Sequence, residues 1–361
     1  MRKPILSFLP MQFKIIKSSI ISLSIAFLTF QSYLFSNTPA QNIEDYGVIS
    51  LMYHRFEENK YPSTNIRMND FLEHIKIIEE NNINFINPKN FENEIKNNKT
   101  QRKILLTIDD GFSSFYENAW PILKKKKIPF ILFVSTREVG AFNYMTWDQI
   151  REISEENFVE IGNHSHTHEY LVEEKSELIK NDIEKSISIF KKELGKNSDF
   201  FSYPFGEYSI EFKNIIKSLN FKYAFGQHSG VMDETKDFYE FPRFPINEKY
   251  GEIKRFKSLM KTLPFKYKNV LPEEKYLLQS QNPPDVKIEF YEGIKDLKSL
   301  NCFSNEADKW RQSEINFLDE TTLKINIKEK FVGERGRINC SLRDPSGYWR
   351  WLGIQFVVSD K

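Results

Sequence analysis

Two cysteines, Cys302 and Cys340, are all that the 361 residues hold. That excludes a disulfide-dense scaffold, and no cysteine pair has zinc-ligand spacing. Net charge is equally scarce. Lys+Arg 51 against Asp+Glu 50 leaves +1, which removes any global electrostatic case for nucleic-acid binding. The one dense run of like charge, Lys124 to Lys127, falls at the end of a predicted helix, where cations suit the helix dipole. We read it as a solvated helix end. Internal repeats and low-complexity segments are lacking as well.

Long apolar runs are confined to the N-terminus. Lys14 and Lys17 precede IISLSIAFLTF, and polar, small-residue sequence follows, ending in Thr38-Pro39-Ala40. Basic, apolar, then small is the layout of a secretory signal. Met11 is an equally good start, giving a more compact signal. The apolar stretch 18–35 contains Gln31 and several serines and is marginal for a spanning helix. Residues 1–40 are therefore read as a cleaved signal or an uncleaved membrane anchor, and the rest as exported to a periplasmic or extracellular setting. In an oxidising compartment two cysteines in one small domain pair, so a Cys302–Cys340 disulfide is expected.

The length accommodates two domains. Between 47 and 263, short apolar runs alternate with amphipathic stretches. VISLMY (48–53), KILLTI (103–108), FILFVS (130–135), FVEIG (158–162), DFFSYP (199–204) and FKYAFG (221–226) read as strands. Helix candidates include 70–80, with Phe71, Ile75 and Ile78 on one face and His74 on the polar, solvated face. Another is 174–194, with Leu178, Ile179, Ile183, Ile187 and Phe190, capped by Gly195. Such alternation argues for a parallel α/β sheet or barrel, whose sites lie at the C-terminal ends of strands. Residues 264–284, with four prolines and no helical period, read as a linker. From 285 to 361 the helical period disappears, and strands separated by turns suggest a small β-sandwich.

The chemistry concentrates in LLTIDDGF (105–112) and GNHSHTH (162–168). The first puts adjacent carboxylates, Asp109 and Asp110, just past a buried strand. The second packs three of six histidines into five residues. An acid pair beside a histidine cluster is the raw material of a divalent-metal hydrolase site. Consecutive strand side chains face opposite ways, so Asp109 and Asp110 divide the work, one ligating a cation and the other accepting a proton. Gly111 lets the backbone turn just beyond them. His164 and His168 share a face in either a helical turn or an extended segment. His166 does so only if the segment is extended, making it the weaker ligand candidate.

These residues resemble the polysaccharide deacetylases with NodB homology, carbohydrate esterase family 4. The family's Thr-Phe-Asp-Asp-Gly stands here as Thr107-Ile108-Asp109-Asp110-Gly111, and its His-Ser/Thr-x-x-His as His164-Ser165-His166-Thr167-His168. The resemblance, which covers roughly 47–263, implies an irregular (β/α)7 barrel, with the C-terminal all-β domain outside it. It implies Asp109 as general base, and Asp110, His164 and His168 as ligands of a divalent metal, usually zinc. The implied reaction is hydrolysis of N-acetyl groups on an acetylated polysaccharide. VISLMYHRF looks like the opening of the subgroup acting on exported poly-N-acetylglucosamine. An O-acetyl esterase on xylan or peptidoglycan shares this chemistry and stays open, as does a glycan-binding protein on a decayed scaffold.

The third family motif, Arg-x-Pro-Tyr, departs: Ser202-Tyr203-Pro204-Phe205 replaces it. Arg243, in FPRFPI, is a single charge in an apolar run. We expect it either to pair with Asp109 from a later strand or to lie exposed on an edge. The N–H of Phe205 is a candidate oxyanion donor. His228 is a candidate general acid or an ordinary loop histidine. His54 points toward the same rim, and Trp147 either walls a sugar groove or packs its helix. Trp349 and Trp351, two apart, share a strand face, as core or as a sugar platform.

Overall fold

In the computed structural model, residues 46–98 and 100–359 are described. The expected signal or anchor at 1–40 lies outside them. Among the described residues no helix is long and apolar enough to cross a membrane.

Seven strands run parallel around a barrel: β1 (Val48–Tyr53), β2 (Lys103–Ile108), β3 (Phe130–Val134), β4 (Val159–Asn163), β5 (Phe200–Ser202), β6 (Tyr223–Phe225) and β7 (Phe244–Pro245). Six are the expected runs, with ends shifted by a residue or two. Pairing proceeds β1–β2–β3–β4–β5–β6. The segment 241–245 then curls the sheet round on itself. Phe241 bridges Phe225 on one side, while Leu51 pairs with Phe244 on the other.

The helices on the outside are α1 (Met68–Glu80), α2 (Phe91–Asn97), α3 (Trp120–Lys126), α4 (Trp147–Ser154), α5 (Ser176–Leu194), α6 (Ile210–Ser218) and α7 (Ile253–Leu259). Lys127, in the left-handed region at φ 54, closes α3, as the lysine run foretold. In α5, Ile179, Ile183 and Phe190 are buried, but Leu178 is exposed. His74 corrects the reading of α1. It is fully buried, stacked on Phe256 of α7 at 3.8 Å and bonded to Tyr53 Oη and the Gly251 carbonyl.

Strand alternation sorts side chains into two layers. Ile49, Leu51, Ile104, Leu106, Phe130, Leu132 and Phe244 face the helices. Val48, Leu105, Ile131, Phe133, Phe200, Phe225 and Phe241 fill the interior. At position 162 the interior leaves no room for a side chain. A Cβ on Gly162 would meet the Phe133 ring at 2.3 Å.

The C-terminal strands form two sheets: β8 (Thr262–Pro264), β9 (Tyr267–Leu271), β10 (Tyr276–Leu277), β11 (Val286–Phe290), β12 (Asn301–Glu306), β13 (Lys309–Gln312), β14 (Glu314–Phe317), β15 (Thr322–Asn326), β16 (Arg335–Arg343) and β17 (Trp349–Val358). One sheet runs β8–β17–β16–β12–β13 with β10 also on β17, and the other β9–β11–β15–β14. Their inner faces share one apolar core, including Ile288, Leu323, Ile338 and Phe356. The stretch 264–284 does more than link: β9 pairs with β11, and β10 with β17. Cys302 and Cys340 sit opposite one another on β12 and β16 and are disulfide-bonded.

Candidate metal centre

The inward parity of the strands assembles the site. Leu105 and Thr107 on β2 face inward, and Asp109 continues that row. Gly162 leads to His164, Phe200 to Ser202, and Phe241 to Arg243. All four polar residues thus converge at the C-terminal rim, and Asp109, Ser202 and Arg243 are fully buried with His164 at 1%.

Alternation ends at Asp110. Its φ of 75° is left-handed, followed by Gly111 at 78°. A side chain at such an angle is strained unless its surroundings hold it. The turn swings the second carboxylate back beside the first. His164 Nε2 lies 3.3 Å from Asp110 Oδ1 and 3.9 Å from Asp109 Oδ2. Ser165 and His168 are left-handed too, at φ 69° and 53°, and this tight loop returns His168 Nε2 to 3.2 Å from Asp110 Oδ1.

Asp110, His164 and His168 each offer a ligand atom, all within 4.8 Å of one another. Their protonation fits a cation. His164 Nδ1 is 2.7 Å from the Ser202 carbonyl, which can only accept, so the proton is on Nδ1 and Nε2 presents a lone pair. Asp110 Oδ1 is buried without a hydrogen-bond partner. A lone-pair nitrogen facing an unpartnered carboxylate oxygen at 3.3 Å repels it unless positive charge lies between. Burial pushes the Asp110 carboxyl up, but the two imidazoles at its edge, of His164 and His168, outweigh this and hold it well below the ordinary carboxylate range. Burial lowers His168 in turn, and Asp110 more than offsets this, leaving it raised.

Asp109 is clamped. Arg243 donates from Nη1 to Oδ1 at 2.7 Å and from Nη2 to Oδ2 at 2.8 Å. The remaining guanidinium protons go to Gly226 O at 2.9 Å, Thr107 Oγ1 at 3.2 Å and Ser202 Oγ at 2.8 Å. Five donors meet five acceptors, so this buried charge is fully satisfied. Burial pushes the Asp109 carboxyl up, and the charges of Arg243, His164 and His54 outweigh it, leaving it lowered.

The other candidates divide. His54 is half-buried, and burial lowers its pKa against the pull of Asp110 and Asp109, which places it at the centre. The Phe205 ring lies 4.7 Å from that of His168. His166 is turned away, its Nδ1 2.9 Å from Thr136 Oγ1. His228 does not face the carboxylates. It is buried among cations, burial first and then Lys275, Lys213, Arg243 and Lys236 pushing its pKa down to about 3. Its Nδ1 is buried without a hydrogen-bond partner, and no hydrogen bond or ion pair among the described residues joins its ring to Asp109, Asp110, His164 or His168, so the general-acid reading of His228 gains no geometric support. Trp147 packs its helix, edge-on to Phe190 at 6.2 Å. Trp351 lies against Phe244 on the barrel, at 6.2 Å, which removes it from a sugar platform; Trp349 remains 40% exposed.

Sequence reasoning missed three contributors. Thr107 and the Ser202 carbonyl lie on the inward row, and strand parity was the available signal. Phe142, 90% exposed, is on a loop hydrogen-bonded to the turn beyond Asp110, through Met145 N to Gly111 O and Ser113 N to Asn143 O.

A parallel barrel with an Asp–His–His cluster and an arginine-clamped aspartate at its C-terminal rim defines a candidate metal-dependent hydrolase centre. Residues 96–224 match the polysaccharide deacetylase family. It is 29% identical over 207 residues to the poly-beta-1,6-N-acetyl-D-glucosamine N-deacetylase of Staphylococcus aureus, covering 53% of this chain and 71% of that one. Two solved structures share the fold. IcaB from Ammonifex degensii matches with a TM-score of 0.55 at 23% identity, over 60% of this chain and 98% of its own. The Streptococcus pyogenes deacetylase PplD, in complex with acetate, matches with a TM-score of 0.55 at 21% identity, over 60% and 99%. The C-terminal sandwich is additional to that fold.

Proposed function

We propose that this protein removes N-acetyl groups from an exported amino-sugar polymer of the poly-N-acetylglucosamine or chitin type. The observation that carries the reading is the Asp110, His164 and His168 cluster beside a buried, arginine-clamped Asp109. The N-deacetylase activity named for the staphylococcal relatives favours N-acetyl over O-acetyl substrates. We further propose an exported, periplasmic or extracellular location, and a catalytic region of 47–263 distinct from the sandwich at 285–361.

Asp110, His164 and His168 would hold a divalent cation, zinc by preference for their N/O donor set, which would polarise the acetyl carbonyl and acidify the attacking water. Asp109 accepts the proton of that water, its carboxylate aimed and kept ionised by Arg243. The N–H of Phe205 donates to the oxygen that gains charge as the carbonyl is attacked. The Ser202 carbonyl fixes the His164 tautomer, so the imidazole presents Nε2 to the centre. His54, which feels the charge of both carboxylates, is our candidate to meet the departing amine, with His228 the alternative.

The test is acetate release by purified protein, loaded with zinc or cobalt, from acetylated chito-oligomers and poly-N-acetylglucosamine. O-acetylated xylan and peptidoglycan run in parallel. Release from the N-acetylated glycans is expected. Release only from the O-acetylated ones would make it an esterase. None from any substrate, with metal demonstrably bound, would overturn the catalytic reading in favour of glycan binding.

A further inference from the structure

The turn carrying Phe205 is strained, and some of the groups that restrain it come from outside the barrel. Phe205 has φ 57° and ψ 5°, left-handed for a residue with a side chain. Gly206 follows at φ 70°, and a Cβ there would meet Gln227 at 2.3 Å. A turn of two left-handed residues persists only where neighbours over-determine it. Within the barrel domain, Tyr170 stacks on the Phe205 ring at 4.2 Å and 10°.

His168 lies 4.7 Å from the same ring on the barrel side, and further restraints come from the C-terminal sheet. Gln355 on β17, 4% exposed, donates Nε2 to the Phe205 carbonyl at 3.4 Å. Arg335 on β16 places its guanidinium carbon 5.6 Å from the Phe205 ring centre and pairs Nε with Glu207 Oε1 at 2.5 Å. Glu207 is 2% exposed, so this ion pair is anchored in a dry wall. The sheet itself is fastened to the barrel close by. Gly353 N donates to Ser229 O at 2.6 Å, and Leu352 bridges Gly230. A side chain at 353 would meet the Ser229 backbone at 2.6 Å, so that close approach requires glycine.

We propose that Arg335 and Gln355 are positioning residues of the catalytic centre, contributed by the C-terminal sandwich, which hold the Phe205 backbone so that its N–H faces the developing oxyanion. The proposal rests on the deacetylase reading, and on Phe205 as the oxyanion donor within it. The sandwich is then a working part of the centre, fixed against one wall of it. The bond to the Phe205 carbonyl holds the peptide that follows Phe205 and the guanidinium lies over its ring, so rotation of the residue about its φ and ψ, and with it the aim of its N–H, is resisted from both sides.

The test uses the full chain, zinc-loaded, with Arg335→Met, Arg335→Lys and Gln355→Leu. Arg311→Ala, on edge strand β13 of the same sheet, serves as control. A misaimed donor is felt in the transition state and not in binding, so kcat should fall at least ~10-fold in Arg335→Met and Gln355→Leu with KM within about twofold. Metal content should not change. Arg335→Lys keeps the charge for Glu207 but loses the planar face over Phe205, and should recover part of kcat. Amide hydrogen exchange at 205–207 should quicken in Arg335→Met and not in Arg311→Ala.

Arg335→Met strands the buried Glu207, so Arg335→Met/Glu207→Gln separates stability from positioning. A double variant with restored Tm and low kcat supports the proposal. One that restores kcat together with Tm overturns it, as does a single-variant loss confined to KM. If wild type releases no acetate, the deacetylase reading fails and the oxyanion role goes with it. Exchange at 205–207 would still report whether the sheet holds the turn.

Discussion

Replacing Arg243 with Met tests the centre where its energetics are most concentrated. The side chain is fully buried, as is Asp109, and every guanidinium proton has an acceptor, two of them the carboxylate oxygens. Removing the arginine leaves a buried carboxylate unpaired and strips partners from the Gly226 carbonyl and the Thr107 and Ser202 hydroxyls. Breaking a buried pair from one side costs about 3–5 kcal/mol. At ~2 °C per kcal/mol for a unit of this size, Tm should fall by roughly 6–10 °C. Catalysis should suffer more than stability. An unpaired buried carboxylate lowers its own cost by taking up a proton, and a protonated Asp109 is no base. With base catalysis worth about 10²–10⁴-fold, kcat should drop by at least ~10².

Arg243→Lys retains charge but offers three donors on a flexible stem, so it should rescue stability better than turnover. The cycle with Asp109→Asn completes the argument. With both charges gone, Arg243→Met/Asp109→Asn should be more stable than the sum of the single losses predicts, while remaining inactive. Thermal unfolding, acetate release and metal content are measured on each variant. Wild-type kcat in Arg243→Met, or additive Tm losses around the cycle, would refute the clamp.

Other expectations are as direct. Alanine at Asp110, His164 or His168 should abolish both metal content and turnover, and Asp109→Asn turnover alone, while His166→Ala stays substantially active; elemental analysis beside acetate release decides it. Reducing the Cys302–Cys340 bridge, which closes a separation of 38 residues, should cost up to about 4 kcal/mol, and unchanged unfolding after reduction would refute this. Burial lowers His74 to about 4 and His228 to about 3 from 6.5. The unfolded chain therefore takes up two protons below pH 6.5 that the folded chain refuses. Stability should fall with pH from ~6 to ~4 by up to ~2.7 kcal/mol per unit from these two groups. His74→Gln should flatten urea-measured stability against pH by one proton, and an unaltered slope would count against the buried neutral imidazole.

The parts of this molecule legible in its sequence were those set by local pattern. Six barrel strands announced themselves as apolar runs, and both metal motifs sat just past predicted strand ends. What stayed hidden was decided by distant partners. His74 looked solvated because nothing near it in sequence discloses Phe256, which stacks on it from α7. Strand β7, two residues long, is too short to show a period. Residues 264–284 read as a linker because prolines dominate the signal, yet β10 is completed by β17, some eighty residues later. The pairing of Arg243 was expected from the cost of burying one charge in an apolar run. Its five partners are visible only once the barrel has closed.

Closure also explains how Asp109 can be clamped although position 202 is a serine. Side chains on the inward rows of a barrel rim converge on one point whichever strand carries them. A guanidinium missing from β5 can therefore be supplied from 241–245, which lies between β6 and β1. The substitution carries a structural consequence. On β5 the arginine would sit within the parallel sheet, whereas β7 is a two-residue strand, held by Leu51 and Met52 of β1 and by Phe225 through Phe241. Its outward residue, Phe244, meets Trp351 of the C-terminal sheet. The strand that aims Asp109 is thus braced by the same sheet that reaches Phe205 through Arg335 and Gln355. On this geometry the clamp can stand on so short a strand because the C-terminal sheet packs behind it.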